Sequence, residues 1–181
     1  MKLEYSVAQN DFLQHQLFIA SKSERIKSKR RNSWLLITCA SLSLAFVFYQ
    51  GDNKFMMYYC LGFAVLTLLF YPLYLRFHYK KHYRKFIEDT YKNRDGEIAT
   101  VIFNDNNIET FDKTGESKIN HSEIEEITET GEYFYLKMRS GGSLIVPKRK
   151  IEAIDDLRTL LQRLGNRLNI KFVSDLNWKW R

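Results

Sequence analysis

Proline and cysteine are almost missing from this sequence. Among 181 residues there are two of each: Pro72 and Pro147, Cys39 and Cys60. Two cysteines without neighbouring thiol or histidine ligands exclude a disulfide framework and a zinc-finger spacing. Both lie inside apolar runs, where they read as small apolar residues. Glycine is scarce too, and Gly141-Gly142 is not followed by Lys and Ser or Thr, so no phosphate-cradling loop is present. From Asp11 to Gln50 there is neither Gly nor Pro. A helix is therefore expected to run without interruption from Asp11, with Asn10 or Asp11 as its cap, into the first apolar run.

The second absence is charge. Trp34 to Tyr49 contains no charged residue, Gly or Pro, and Phe55 to Leu75 contains no charge. As helices, residues 33–50 and 55–75 span about 27 Å and about 31 Å, close to the roughly 30 Å of a bilayer core. Two all-apolar helices are too much for so small a domain to cover on every side, so membrane spans are expected. Some thirty polar and charged residues precede the first run and no small-residue cleavage site follows it, which excludes a signal peptide. Neither run holds an ionisable Asp, Glu, Lys, Arg or His, which argues against a pump or channel path. Pro72, near the inner end of the second run, predicts a local kink.

Positive charge flanks both runs. Lys22, Arg25, Lys27, Lys29, Arg30 and Arg31 precede the first, and Arg76, Lys80, Lys81, Arg84 and Lys85 follow the second. The connector from Gln50 to Lys54 holds one Lys and one Asp. The excess of Lys and Arg places both termini in the cytoplasm and the connector outside. These two collars account for the formal charge of +7, and the remainder of the chain is slightly acidic. With no basic stripe on the soluble part, a nucleic-acid partner is excluded, and membrane lipids are the partner these charges suit. At one height, the two collars are expected to repel each other unless headgroups neutralise them.

Beyond the spans the pattern changes. Lys2 to Val7 alternates as one strand does. From Glu97 the period is two: Glu97–Phe103, Ile108–Phe111, Glu116–Asn120, a strand or bend at Ile124 and Ile127, Tyr133–Arg139 and Leu144–Val146, with turns at Asn104–Asn107, Asp112–Gly115, Thr130-Gly131 and Ser140–Ser143. In Tyr133–Arg139, Phe134, Leu136 and Met138 form the core face, and Tyr133, Tyr135, Lys137 and Arg139 the other, wet one. Ile151, Ile154, Leu157, Leu161, Leu164 and Leu168 then repeat at three and four, a helix that Gly165 is expected to end. Six or so short strands followed by an amphipathic helix predict a small antiparallel β-sandwich or barrel closed by a C-terminal helix, the order found in pleckstrin-homology-like domains.

The expected organisation is a cytoplasmic strand and basic juxtamembrane helix over 1–32 and a transmembrane helical hairpin over 33–75. A second basic juxtamembrane helix over 76–95 and a cytoplasmic α+β domain over 96–181 complete it.

Ser122-Glu-Ile-Glu-Glu-Ile127, Glu129-Thr130, Tyr133-Phe-Tyr135 and Ile145-Val-Pro-Lys-Arg149 after two spans resemble the YcxB-like family of bacterial membrane proteins. Pro147-Lys148-Arg149 is the most specific part, and the resemblance extends over most of the chain. The family often has an aromatic residue where His121 and Ile151 stand, so the chain departs from it at both. The resemblance implies a pleckstrin-homology-like C-terminal domain and a bacterial inner membrane; it implies no activity.

Other groupings suggest chemistry less well. His78 and His82 have the i, i+4 spacing of metal ligands but stand among Arg76, Lys80, Lys81 and Arg84, which repel a cation. Glu123, Glu125, Glu126, Glu129 and Glu132 read as a solvated strand face. His121-Ser122 lacks a third partner for a nucleophile. No cofactor and no metal is expected, and no catalysis. Lys148, Arg149 and Lys150, at the opening of the last helix, oppose its dipole, which marks them as a site for a lipid headgroup or an acidic partner. Phe172, Trp178 and Trp180 are expected to dock on the domain or at the membrane interface. The sequence thus predicts a membrane-anchored binding module that contacts a protein, peptide or lipid, with membrane lipids, a protein or peptide and a second copy of the chain as the expected partners. The alternative is an accessory to transport of, or resistance to, membrane-active compounds.

Overall fold

The computed structural model describes residues 1–92, 96–113 and 115–180. The end of the expected second juxtamembrane helix (93–95) and Thr114 of the expected Asp112–Gly115 turn lie outside them. The chain forms two units: Met1–His15 with Ile87–Lys179, and Gln16–Phe86 with Trp180.

The first unit contains two four-stranded sheets. One is built in the order β1 (Lys2–Val7), β2 (Glu97–Phe103), β3 (Asn107–Asp112) and β4 (Gly115–Asn120), all antiparallel. The other has the order β7 (Ser143–Pro147), β6 (Tyr133–Met138), β5 (Ile124–Thr130) and β8 (Lys171–Asp175), with β8 parallel to β5. The N-terminal strand, expected to belong to a separate segment, is an edge of the first sheet, with Lys2 opposite Ile102 and Val7 opposite Glu97. Its alternation explains why: Leu3 and Tyr5 are buried while Lys2 and Glu4 are exposed, so one face needs a core. The unit therefore draws in both ends of the chain rather than 96–181 alone.

Both sheets feed one apolar cluster, in which Val101, Ile108, Ile127, Phe134, Leu136 and Val146 are fully buried. Helix α4 (Ile154–Leu168) adds Leu157, Leu161 and Leu164 to it. These recur at four and three, the predicted apolar face. The helix passes Gly165 and ends at Asn169, which takes the left-handed cap position with φ of 53°. Gly165 serves closeness instead: a Cβ there would stand 3.3 Å from the Ile170 carbonyl oxygen. The helix is followed by β8, a strand that the weak alternation of Lys171–Asp175 did not reveal. At the β6–β7 hairpin Gly141 has φ of 93°, a conformation that favours glycine.

Strand β6 is buried on both faces, against expectation. Tyr133 and Tyr135 are as inaccessible as Phe134 and Leu136, and Lys137 alone of the strand is exposed. The cover comes from α1 (Gln9–Lys22), whose His15 ring lies 5.1 Å from that of Tyr135.

In the second unit, the expected continuous helix is broken at Ser23. Its φ and ψ of −71° and 114° are extended, and its hydroxyl accepts from Ile26 N–H at 3.5 Å. A serine that caps a new helix has replaced the missing glycine or proline as the breaker. Helix α2 (Glu24–Gln50) and helix α3 (Lys54–Thr90) are both long and apolar enough to cross a membrane. Only 17% of the apolar window of each is buried, which is unlike the core helix of a soluble protein. Within the apolar runs small residues are buried, Thr38, Ser41 and Ala45 on α2 and Cys60, Ala64 and Thr67 on α3, and α3 also buries Leu75 and Ile87 towards its C-terminal end. Spaced at three, four and seven, the small residues suit a close helix seam. The three hydroxyls are bonded to carbonyls of their own helices, at Trp34, Ile37 and Phe63. Helix α3 runs through Pro72 without interruption.

Candidate functional site

Lys148, Arg149 and Lys150 do not open α4. They form a separate 3-10 turn between β7 and the helix. Pro147 ends β7 immediately before them, which forces the chain to turn there. The turn aims the first of these side chains inward. Lys148 Nζ lies 2.7 Å from Glu129 Oε1 and 2.6 Å from the Thr130 carbonyl oxygen, and 4.7 Å above the Phe134 ring. Arg158 of α4 binds the same Glu129 oxygen at 2.9 Å and also pairs with Asp155. Glu129 is 3% exposed, so it is a buried carboxylate shared by the buried Lys148 and the half-exposed Arg158, and not part of a solvated acidic face. The remaining glutamates of that face do meet solvent: Glu125 pairs with Lys137 at 2.8 Å and Glu126 with Lys171 at 3.4 Å.

Arg149 turns the other way. Its guanidinium donates to Asp11 Oδ1 at 2.6 Å and to the Tyr133 hydroxyl at 3.2 Å. Asp11 is fully buried. It stands at the third position of α1, and its second oxygen accepts from Ala8 N–H at 2.9 Å, the back-reaching half of a capping box. The bonds to Asp11 and Tyr133 hold the Arg149 pKa above its ordinary value. Tyr133 is raised to about 12, by burial first and then by its bond to Asp11. Lys148 is therefore buried within the protein, Arg149 is exposed although it bonds to Asp11 and Tyr133, and Lys150 is exposed as well. As a headgroup or partner site this turn is reduced to Lys150 and the outer edge of Arg149.

A cavity of about 860 Å³ lies elsewhere on the same unit, between α4 and the β2–β3 turn. Asp156, Thr159, Arg163 and Arg167 line one wall, Asp105 and His121 the other, and Phe103, Leu160 and Leu164 give it an apolar floor. Arg167 anchors the far end: it donates to the Asp105 carbonyl oxygen at 2.6 Å and lies 2.9 Å from His121 Nδ1. His121 is buried in a 3-10 turn before β5, and burial together with Arg167 lowers its pKa. A neutral ring accepts from Arg167; a protonated one cannot. The sequence reading missed this site. Its signal was present: Asp156, Thr159, Leu160, Arg163, Leu164 and Arg167 recur at three and four, a mixed stripe beside the apolar face of α4.

Residues 103–161 match the YcxB-like protein family. The YcxB-like segment runs from the last residue of β2 to the middle of α4 and covers about a third of the chain. It contains Glu129, Tyr133, Lys148, Arg149 and Arg158, and the Asp105, His121, Asp156, Thr159 and Leu160 part of the cavity wall. Asp11, Arg163 and Arg167 fall outside it. No curated protein and no solved structure matches the chain.

In the second unit, the collar cations are partly masked by aromatic rings. Arg30 lies 5.9 Å from the Tyr79 ring and 5.1 Å from that of Trp180. Trp180 is 7% exposed and donates its indole N–H to the Arg76 carbonyl oxygen at 3.1 Å. Cation–π contact eases the expected repulsion between collars. Lys29, Arg31, Lys81, Arg84 and Lys85 remain on exposed or half-exposed positions, and Lys80 is half-buried. His78 stacks on Tyr74 and meets Tyr79 edge-on, and His82 meets Tyr83 edge-on.

Proposed function

We propose that this protein is a membrane-anchored, non-enzymatic binding module. In this reading α2 and α3 cross the bacterial inner membrane, both termini are cytoplasmic, and a pleckstrin-homology-like domain presents a ligand site to the cytoplasm. The observation that carries it is the cavity beside α4: an apolar floor of Phe103, Leu160 and Leu164 walled by groups of both charge signs. Such a site accepts an apolar side chain while the rim bonds the backbone or charged neighbours on either side of it. A peptide segment of a partner protein has that chemistry.

The transport or resistance alternative finds less support. The hydroxyls of Thr38, Ser41 and Thr67 donate to carbonyls of their own helices, and the charge-free runs hold no Asp, Glu, Lys, Arg or His to move an ion.

A photoreactive residue placed at Thr159 in the full-length protein tests the reading in cells. It is expected to crosslink one defined protein, and Arg163→Glu should abolish the adduct without changing the amount of protein in the membrane. The same probe at Lys118, on an exposed strand, should give none. Equal capture from both positions would sink the proposal.

A further inference from the structure

The second unit holds a small pocket of about 300 Å³ that the binding-module reading does not use. Lys27, Arg30, Arg31 and Trp34 of α2 line it, with Pro72 and Leu75 of α3. The α2 residues stand at i, i+3, i+4 and i+7, so they occupy one helical face over two turns. Along that face, about 10 Å long, the chemistry changes from three cations to an indole. Pro72 and Leu75 continue the apolar end from the other helix.

We infer that this pocket is a specific site for one acidic phospholipid, whose phosphate meets Lys27, Arg30 and Arg31 and whose glycerol and upper acyl chain lie against Trp34, Pro72 and Leu75. The inference rests on the reading that α2 and α3 cross the membrane. A free phosphate would need only the cationic end. The apolar end has a use only if the anion carries a hydrocarbon tail, and the pocket sits where the charged collar meets the uncharged run, the depth of a headgroup. Three further features fit. Lys27 is held by Glu24 at 2.7 Å, an exposed i, i+3 pair that a stronger anion displaces at little cost. The rings of Tyr79 and Trp180 fix the place of Arg30. The Trp34 indole N–H is buried and meets no acceptor among the described residues. A phosphate or ester oxygen would supply one after a small shift of the ring.

Native mass spectrometry of the full chain, released from nanodiscs of phosphatidylcholine mixed with phosphatidylglycerol, counts retained lipid. One phosphatidylglycerol per chain is expected to survive where phosphatidylcholine does not. Removing two cationic contacts with Arg30→Gln and Arg31→Gln should weaken retention about thirtyfold. Trp34→Phe, which keeps an aromatic ring and removes the donor, should weaken it several-fold. Arg84→Gln with Lys85→Gln, outside the pocket, should change little, and added inorganic phosphate should not compete. Equal losses from both arginine and control pairs would mean diffuse attraction and overturn the site, as would displacement by inorganic phosphate. Extraction of the unaltered chain from membranes by alkaline carbonate would instead overturn the membrane reading on which the inference rests.

Discussion

The hydroxyl of Tyr133 lies 2.8 Å from Oδ1 of Asp11, across 122 residues of sequence. Both groups are buried, and Arg149 bonds to each of them. This contact fastens the start of α1 to the sheet β7-β6-β5-β8 and explains why the tyrosine face of β6 is dry.

Tyr133→Phe should therefore destabilise the first unit by about 1–2 kcal/mol, since Asp11 keeps Arg149 and the Ala8 N–H. Asp11→Ala should cost about 3 kcal/mol or more, because it leaves the tyrosine hydroxyl, the guanidinium and the helix start without their acceptor. Hydrogen exchange of β5 and β6 amides in the detergent-solubilised chain reads both. The two changes combined should fall short of their sum, and strict additivity would mean the contact is not energetically coupled.

Lys148→Met is expected to be the most harmful change in the basic turn, at about 3–5 kcal/mol, for it strands the buried Glu129 beside Arg158 alone. Lys150→Ala should alter stability by less than about 0.5 kcal/mol. Chemical denaturation of the two variants separates them. Similar midpoints would show that Lys148 is not the buried partner of Glu129.

His15 gives the first unit a pH dependence. Burial against Tyr135 lowers its pKa from 6.5 to about 4. Between those values the unfolded chain takes up a proton that the folded chain refuses. Stability is therefore complete above about pH 6.5 and falls as the pH drops towards 4, by up to about 3 kcal/mol. The difference between the unaltered chain and His15→Gln, measured from pH 7 down to pH 5 where few carboxylates titrate, should shrink steadily as the pH falls. A constant difference would mean His15 is protonated in both states alike.

The charge collars predict orientation. Reporter fusions after Gly51 should be active outside the cytoplasm, and fusions at either terminus inside it. Exchanging Arg30 and Arg31 for Gln should leave this unchanged, because Lys27, Lys29 and the second collar remain. A C-terminal reporter found outside would overturn the orientation.

Local chemistry was legible in the sequence. Two charge-free runs became α2 and α3, period-two alternation gave β1 to β7, and the three-and-four repeat of leucines gave the inner face of α4. Each of these depends on a residue and its near neighbours, and periodicity reports that directly. The acid at position 11 and the mixed stripe on α4 left traces in the spacing, although the partners they meet did not. Tertiary structure alone decided that Tyr133 and Tyr135 are covered, that Lys148 is buried against Glu129, that β1 joins β2 across the whole helical pair, and that β8 lies parallel to β5. The physical reason is common to all four. Tyrosine, lysine and glutamate, and the free edge of a strand, are stable in water or in a core according to whether a partner satisfies their polar groups. Here that partner comes from a distant part of the chain, and no local pattern records which part it is.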